Sequence, residues 1–124
     1  MDQQRIWVGM DVAAASVQVC CVSGEGEPLG VDFEIAQGRE GYAQLTARLG
    51  ALGREQGDFY VVMEACGGYH RRLAQFLFEQ GWQVRVVNAF QVKRFGEVYL
   101  ERDKSDAIDA LTLARYGAML HPEA

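Results

Sequence analysis

Two acidic residues of this chain each follow a short apolar run that predicts a buried strand. Residues 6–10 lead to Asp11, and residues 59–63 lead to Glu64. A charge at the end of a central strand is costly to bury unless it is paired or binds a cation. In open α/β sheets, the carboxyl ends of the strands also form the crevice where ligands bind. Either acid alone is equally consistent with a solvated loop residue, so the prediction depends on which other acids they meet.

A second pair of acids lies near the end of the chain. Asp106 and Asp109 are three residues apart at the predicted start of the last helix, which places both on one face, about 5–6 Å apart at Cβ. If that helix packs across the strand ends, four carboxylates converge, and two unit charges about 4 Å apart near a surface repel by roughly 4 kcal/mol. Such hard oxygen ligands suit Mg²⁺ or Mn²⁺, and two of these ions about 3.5–4 Å apart assist phosphoryl transfer. Taken alone, Asp106 is better explained by the helix dipole, with Ser105 or Asp103 as the helix cap.

The elements that must position these acids are predicted to be three strands followed by alternating helices and strands. Alternating apolar residues predict strands at 16–22 and 31–35, which form an antiparallel meander with the first strand and leave one face exposed to solvent. Apolar stripes at helical spacing predict amphipathic helices over 42–52 and 69–77, the second closed by Gly81. The chain is completed by a fifth strand from Trp82 to Asn88, a partly helical segment at 91–100, a polar loop at 101–106 and a final helix from Ile108 to Leu120.

This order of elements predicts an α/β fold. Three meander strands followed by right-handed crossovers form a mixed five-stranded sheet with helices packed on it. If the fourth strand pairs with the first, the strand order is 3-2-1-4-5. Asp11 and Glu64 then leave the same edge of neighbouring parallel strands, about 5 Å apart.

The composition indicates one globular domain. The 124 residues suffice for one hydrophobic core, 49% of them are apolar, and no apolar run is long enough to span a bilayer. The polar N-terminus predicts that there is no signal peptide. The net charge of −5 argues against a domain that holds nucleic acid by bulk charge, although it does not exclude a catalytic carboxylate cluster. Cys20, Cys21 and Cys66 lack zinc-site spacing and predict buried free thiols in a reducing cytosol.

Four segments of the chain carry distinctive motifs. They are Gly-Met-Asp at 9–11, Met-Glu-Ala-Cys-Gly-Gly-Tyr-His at 63–70, Val-Asn at 87–88 with Val-Lys-Arg-Phe at 92–95, and Lys-Ser-Asp-Ala-Ile-Asp-Ala at 104–110. In this order and spacing they resemble the DEDD transposases, the IS-one-ten family of insertion-sequence recombinases that includes the Piv invertases. The resemblance implies an RNase H-like, RuvC-type domain. It also implies that Mg²⁺ or Mn²⁺ is bound by the catalytic set Asp11, Glu64, Asp106 and Asp109.

The resemblance further implies a function in DNA transposition. Members of the family act on double-stranded DNA at the ends of a mobile element, and some are guided by a structured bridge RNA. They also carry a coiled coil and a C-terminal domain with a serine nucleophile. Residues 1–124 are therefore expected to be a single, isolated catalytic domain from the bacterial cytoplasm, and the full-length form is expected to be a homo-oligomer.

Basic residues near the acids are candidates for contacts with nucleic acid. Lys93, Arg94 and Arg102 can form a rim that binds the phosphate backbone, and a solvated helix face explains them equally well. Lys104 lies beside the acid pair, where it reaches a phosphate or is simply solvated. His70 is a candidate for proton transfer, but a partly exposed helix histidine is the commoner case.

Three function hypotheses follow from these observations. The first is a metal-dependent DNA recombinase domain. The second is a stand-alone nuclease for Holliday junctions, resembling RuvC and the short YqgF resolvases. The third is a scaffold of the same fold that binds RNA or dimerises without chemistry.

Overall fold

The computed structural model describes residues 5–65, 67–103 and 107–123. Within these ranges the elements follow the order β-β-β-α-β-α-β-α-α. The strands are β1 (Ile6–Val12), β2 (Ser16–Ser23), β3 (Pro28–Ala36), β4 (Phe59–Glu64) and β5 (Gln83–Val87). The helices are α1 (Arg39–Gly50), α2 (His70–Glu79), α3 (Ala89–Tyr99) and α4 (Ala110–Leu120).

The five strands form one mixed sheet in the order β3-β2-β1-β4-β5. The central strand β1 is antiparallel to β2 and parallel to β4, and β4 is parallel to β5. The predicted α/β class and the predicted strand order are confirmed. The order follows from the near-continuous apolar sequence of β1, which is stable only where both faces of the strand are covered.

Two helices pack on each face of the sheet. On one face, Val8 and Met10 of β1 pack with residues of α1 and α2 such as Leu45 and Leu77. On the other face, Trp7 packs with residues of α3 and α4. Because side chains alternate along a strand, neighbouring residues of β1 serve opposite layers of the core.

Helix α4 approaches β1 and β4 unusually closely, through two glycines. A Cβ atom at Gly9 would overlap the Ala110 carbonyl oxygen and lie 2.6 Å from the Ala114 nitrogen. A Cβ atom at Gly117 would overlap the ring of Trp7 and would lie 2.6 Å from a methyl of Val62. The absence of these side chains lets the helix backbone rest directly on the central strands.

The prediction of a solvent-exposed face was wrong for β2. Cys20 and Val22 lie on the face predicted to be exposed, yet both are buried, because α4 covers that face. The alternation holds for β3, where Phe33 is buried and Glu34 is exposed. Cys20 and Cys21 are buried free thiols, as predicted, and burial raises the pKa of Cys21 to about 12. Cys66 lies outside the described residues.

Three predicted boundaries needed correction. The last helix begins at Ala110 rather than Ile108, with Asp109 as its N-cap. Helix α3 begins at Ala89, with Asn88 as its N-cap, and the fifth strand begins one residue after Trp82. In both helices a short polar side chain accepts a hydrogen bond from a backbone N–H in the first turn, which stops the helix from extending backwards.

Candidate metal centre at the strand ends

Asp11 and Glu64 lie side by side at the ends of neighbouring parallel strands. Met10 of β1 is in register with Met63 of β4, so the next residue of each strand is one of the two acids. Asp11 is exposed and Glu64 is partly exposed. The parallel backbone hydrogen bonds therefore place the two carboxylates at one edge of the sheet, as the sequence predicted.

Asp109 is positioned near the same strand ends by helix α4, of which it is the N-cap. The close packing of α4 on Gly9 brings the first turn of the helix to the end of β1. The Oδ1 atom of Asp109 accepts a hydrogen bond from the Thr112 backbone N–H at 2.8 Å. Its Oδ2 atom lies 3.4 Å from Nη1 of Arg102, in a salt bridge whose two side chains are 49% and 30% exposed. The helical i, i+3 placement predicted for this acid was wrong, because Asp109 caps the helix instead of lying within it.

The electrostatics of the site show that three acids lie close together. Partial desolvation of the Asp11 carboxyl raises its pKa above the ordinary value, although the residue as a whole is exposed. The charge of Asp109 raises this pKa further. Burial also raises the pKa of the Glu64 carboxyl, as does the charge of Asp11, while Lys93 acts in the opposite direction. Asp11 thus interacts with one acid from β4 and with another from the start of α4. Mutual repulsion of this kind favours a cation between the carboxylates.

The carboxylates of Asp11, Glu64 and Asp109 are ligands of a type that suits a divalent cation. The described residues are nevertheless not arranged to hold one. Within residues 5–65, 67–103 and 107–123, no group of three or more His, Cys, Asp or Glu side chains is placed to bind one ion together. Asp109 is turned toward Thr112 and Arg102 instead. Asp106, the remaining predicted ligand, lies outside the described residues, as does Lys104. Carboxylate oxygens are nevertheless the ligands that Mg²⁺ and Mn²⁺ prefer.

The predicted basic rim is divided between two surfaces. Lys93 and Arg102 line one small pocket between α3 and the segment before α4, together with Gly96 and Thr112. Arg94 lines a separate groove of about 440 Å³ between α3 and α4. Arg102 also donates to the Ala107 carbonyl oxygen at 3.0 Å, an interaction that the sequence pattern did not indicate.

Two residues of the β4–α2 region differ in their surroundings. Tyr69 lies in the turn before α2 and is 52% exposed. His70 is the first residue of α2, and its buried Nδ1 atom has no hydrogen-bond partner among the described residues. Burial lowers the pKa of His70, and the neighbouring Arg71 lowers it further. His70 lines a groove with Phe78 and Val86.

The strand order and the position of the acids define a RuvC-like α/β protein. A solved structure, "Thermus thermophilus RuvC structure", aligns with a TM-score of 0.59 and 16% sequence identity. The alignment covers 91% of this chain and 93% of the RuvC chain. At this identity the likeness establishes the fold alone.

The family is established by sequence. The family model DEDD_Tnp_IS110, described as "Transposase", matches residues 8–123, and the chain belongs to this family. The chain is also 25% identical over 118 residues to the "Pilin gene-inverting protein" of Moraxella lacunata and, equally, to that of Moraxella bovis. These matches cover 95% of this chain but only 36% of each relative. The chain thus spans about a third of the length of those proteins.

The described residues contain no helix that is both long and apolar enough to cross a membrane.

Proposed function

We propose that this chain is the metal-binding catalytic domain of a DNA transposase, with Asp11, Glu64, Asp106 and Asp109 as the ligands of Mg²⁺ or Mn²⁺. One observation carries the proposal. The charge of Asp11 interacts with both Glu64 and Asp109, although the three acids come from distant segments of the chain. Acids from distant segments that meet at the carboxyl ends of neighbouring parallel strands support a ligand site there.

Each residue of the site has a distinct part in the proposed chemistry. Divalent cations bound by the acids supply charge stabilisation to the attacking and leaving oxygens of phosphoryl transfer. Asp11 and Glu64 provide ligand oxygens at fixed positions on the sheet. Arg102 compensates the charge of Asp109 in the structure, and it would contact a DNA phosphate if Asp109 supplied ligand oxygens to a cation. Lys93, whose charge acts on Glu64, provides a second phosphate contact.

The proposed substrate is double-stranded DNA. The family is one of transposases, and two relatives are named for the inversion of a pilin gene. Recombination of this kind requires hydrolysis or transfer at DNA phosphodiesters, which is the chemistry that paired divalent cations assist. We further propose a cytoplasmic location, a structured bridge RNA as guide and a homo-oligomeric full-length protein.

Thermal unfolding with and without Mg²⁺ or Mn²⁺ tests the metal site. At a concentration 100 times its Kd, the ion should add about 2.7 kcal/mol to the free energy of unfolding. The Asp11→Ala variant should lose this gain. The matched control is Glu25→Gln, which removes one negative charge from the exposed β2–β3 turn, at the opposite end of the sheet. Equal melting of all three proteins at millimolar metal would contradict the proposal.

A second function is favoured by the RuvC alignment. The likeness covers 93% of the RuvC chain, so a domain of this size corresponds to a stand-alone nuclease fold. A nuclease specific for four-way junctions would cut such a junction in Mg²⁺ without any other protein domain. Cleavage by this chain that is lost in Glu64→Gln would favour the nuclease, whereas metal binding without junction cleavage would favour the transposase domain.

A further inference from the structure

One side chain outside the acid cluster connects two loops that are distant in sequence. Gln37 directly follows β3 and is half-buried. Its Nε2 atom donates hydrogen bonds to the Ala13 carbonyl oxygen at 3.0 Å and to the Tyr69 carbonyl oxygen at 3.3 Å. Its backbone N–H donates to the Ala15 carbonyl oxygen at 2.9 Å. Gln37 therefore bonds to the β1–β2 loop at two points and to the β4–α2 turn at one.

These two loops are the ones that leave the strand-end acids. The β1–β2 loop at 13–15 begins two residues after Asp11, and the turn at 67–69 begins three residues after Glu64. The ladder between β1 and β4 pairs residues only as far as Met10 and Met63. Beyond that point, Asp11 stays paired with β2 and Glu64 with β5, and Gln37 connects the two segments to each other through its side chain.

The orientation of the Gln37 amide is itself determined by a buried tyrosine. The hydroxyl of Tyr42 donates a hydrogen bond to Oε1 of Gln37. Tyr42 is only 3% exposed, and its ring packs against Phe76 with a centroid separation of 5.1 Å. Because an amide accepts at oxygen and donates at nitrogen, this bond directs Nε2 toward the two loop carbonyls.

We propose that Gln37 is a positioning residue of the acid site, which holds the loops after Asp11 and Glu64 together and so maintains the separation of the two carboxylates. Its part in metal binding rests on the function proposed above. Ala13 and Tyr69 both participate through their backbone carbonyl oxygens, which are acceptors and cannot bond to each other. A residue with a donor at the end of a side chain of this length is therefore required at position 37.

Three variants separate the positioning role from general stability. Gln37→Met keeps the length and neutral charge of the side chain but removes both donors and the acceptor. Tyr42→Phe keeps the packing but removes the hydroxyl that orients the amide. The control is Gln44→Met, the same substitution at an exposed position of α1.

Amide hydrogen exchange of the metal-free chain tests the connection directly. The probes are the Ala13 N–H, which donates to the Ser16 carbonyl oxygen at 2.8 Å, and the Arg71 N–H, which donates to the Gly68 carbonyl oxygen at 3.2 Å. In Gln37→Met, exchange at both probes should become about 3- to 10-fold faster, the equivalent of one lost hydrogen bond. Tyr42→Phe should give a smaller increase at both, and Gln44→Met none. Faster exchange at only one probe, or at neither, overturns the proposal.

Binding of Mn²⁺, followed by electron paramagnetic resonance, tests the consequence for the site. The affinity of Gln37→Met should fall about tenfold, as when a supporting contact around metal ligands is lost, while Gln44→Met should bind like the wild type. Normal Mn²⁺ affinity in Gln37→Met would overturn the positioning role. Absence of Mn²⁺ binding in the wild type would contradict the proposed metal site, and the connection between the loops would then be decided by exchange alone.

Discussion

The strand-end acids and the helix-cap acid are held by different kinds of contact. Asp11 and Glu64 are placed chiefly by the backbone register of β1 and β4, and Gln37 connects the loops that follow them. Asp109 is placed by two side-chain interactions, one with the Thr112 N–H and one with Arg102. The first pair is therefore held mainly by the sheet, and its repulsion is offset only in part by Lys93, whereas the partners of Asp109 can be exchanged.

This difference would suit the metal site proposed above. The placement of Asp11 and Glu64 on the sheet limits the conformational entropy that would be lost on binding. Asp109 is engaged as a helix cap and in an ion pair, so its charge is compensated without a cation. Substitutions at four positions test the contrast between these acids.

The largest effect is expected at Gly9, where the backbone of α4 rests on β1 and brings Asp109 near Asp11. In Gly9→Ala the new methyl group would overlap the backbone of α4 at Ala110, which cannot move aside like a flexible side chain. We expect the free energy of unfolding to fall by about 1–3 kcal/mol in urea denaturation. Gly50→Ala is the control, because a Cβ atom there meets open space. Equal stability of Gly9→Ala and the wild type would show that α4 is not held against β1 as described.

Asp109→Ala should have the next largest effect, because it removes the cap of α4. Loss of an N-cap side chain costs about 0.5–2 kcal/mol. Asp109→Asn should retain most of the stability, since an asparagine oxygen accepts the same hydrogen bond from Thr112. Both variants are compared by urea denaturation. If Asn is as destabilising as Ala, then the ion pair with Arg102 is more important than the cap.

Asp11→Asn, unlike the two substitutions above, should increase the free energy of unfolding of the metal-free chain. Burial, followed by the charge of Asp109, raises the pKa of Asp11 in the folded state above the ordinary value of 3.8. The Asp11 carboxyl therefore contributes fully to the free energy of unfolding when the pH is below its pKa in the unfolded chain. This contribution is lost as the pH rises through the higher pKa of the folded state. At neutral pH, Asp11→Asn should be more stable by about 0.2–1 kcal/mol, the range for exposed charge pairs.

The free energy of unfolding, measured at a series of pH values, shows whether Asp11→Asn is more or less stable than the wild type. The difference between Asp11→Asn and the wild type should disappear below the ordinary pKa of 3.8 and grow as the pH rises toward neutrality. Glu25→Gln, in the exposed β2–β3 turn at the opposite end of the sheet, is measured in parallel as the charge control. A variant that is less stable than the wild type at neutral pH would contradict the mutual repulsion of the acids.

The smallest effect is expected for Arg102→Gln. Its salt bridge with Asp109 is partly exposed, so its loss should cost about half a kcal/mol at low ionic strength. The cost should shrink in about 0.5 M salt, where the Debye length falls to a few ångströms. Measurement at low and high salt separates this electrostatic part from the hydrogen bond to the Ala107 carbonyl oxygen. A cost that is independent of salt would assign the effect to that hydrogen bond instead.

Much of the fold was predictable because its signals are local. The alternation in β3, the helical stripes of α1 and α2 and the apolar run of β1 each reflect which face of one element is covered. Gly81 was predicted at the end of α2 and indeed follows the helix with a φ of 91°. The positions of Asp11 and Glu64 at neighbouring strand ends followed from the strand order alone.

Other features depended on contacts between distant segments. The burial of Cys20 and Val22 results from the packing of α4 on β2, which periodicity within β2 does not reveal. The part of Asn88 as a helix cap was missed, although a short polar residue before an apolar helical stripe was a signal for it. The connection made by Gln37 gave no sequence signal, since the two carbonyls that its side chain joins are more than 20 residues away.

The residues alone were enough to predict the class of the sheet, the place of two acids at its edge and, through four ordered motifs, the family. Hydrophobic periodicity and strand register carry this information because they act over a few residues. Only the tertiary structure decided that Asp109 caps α4, pairs with Arg102 and lies within electrostatic reach of Asp11. That arrangement depends on how closely a helix backbone rests on Gly9, and such a distance results from packing between segments that are about 100 residues apart.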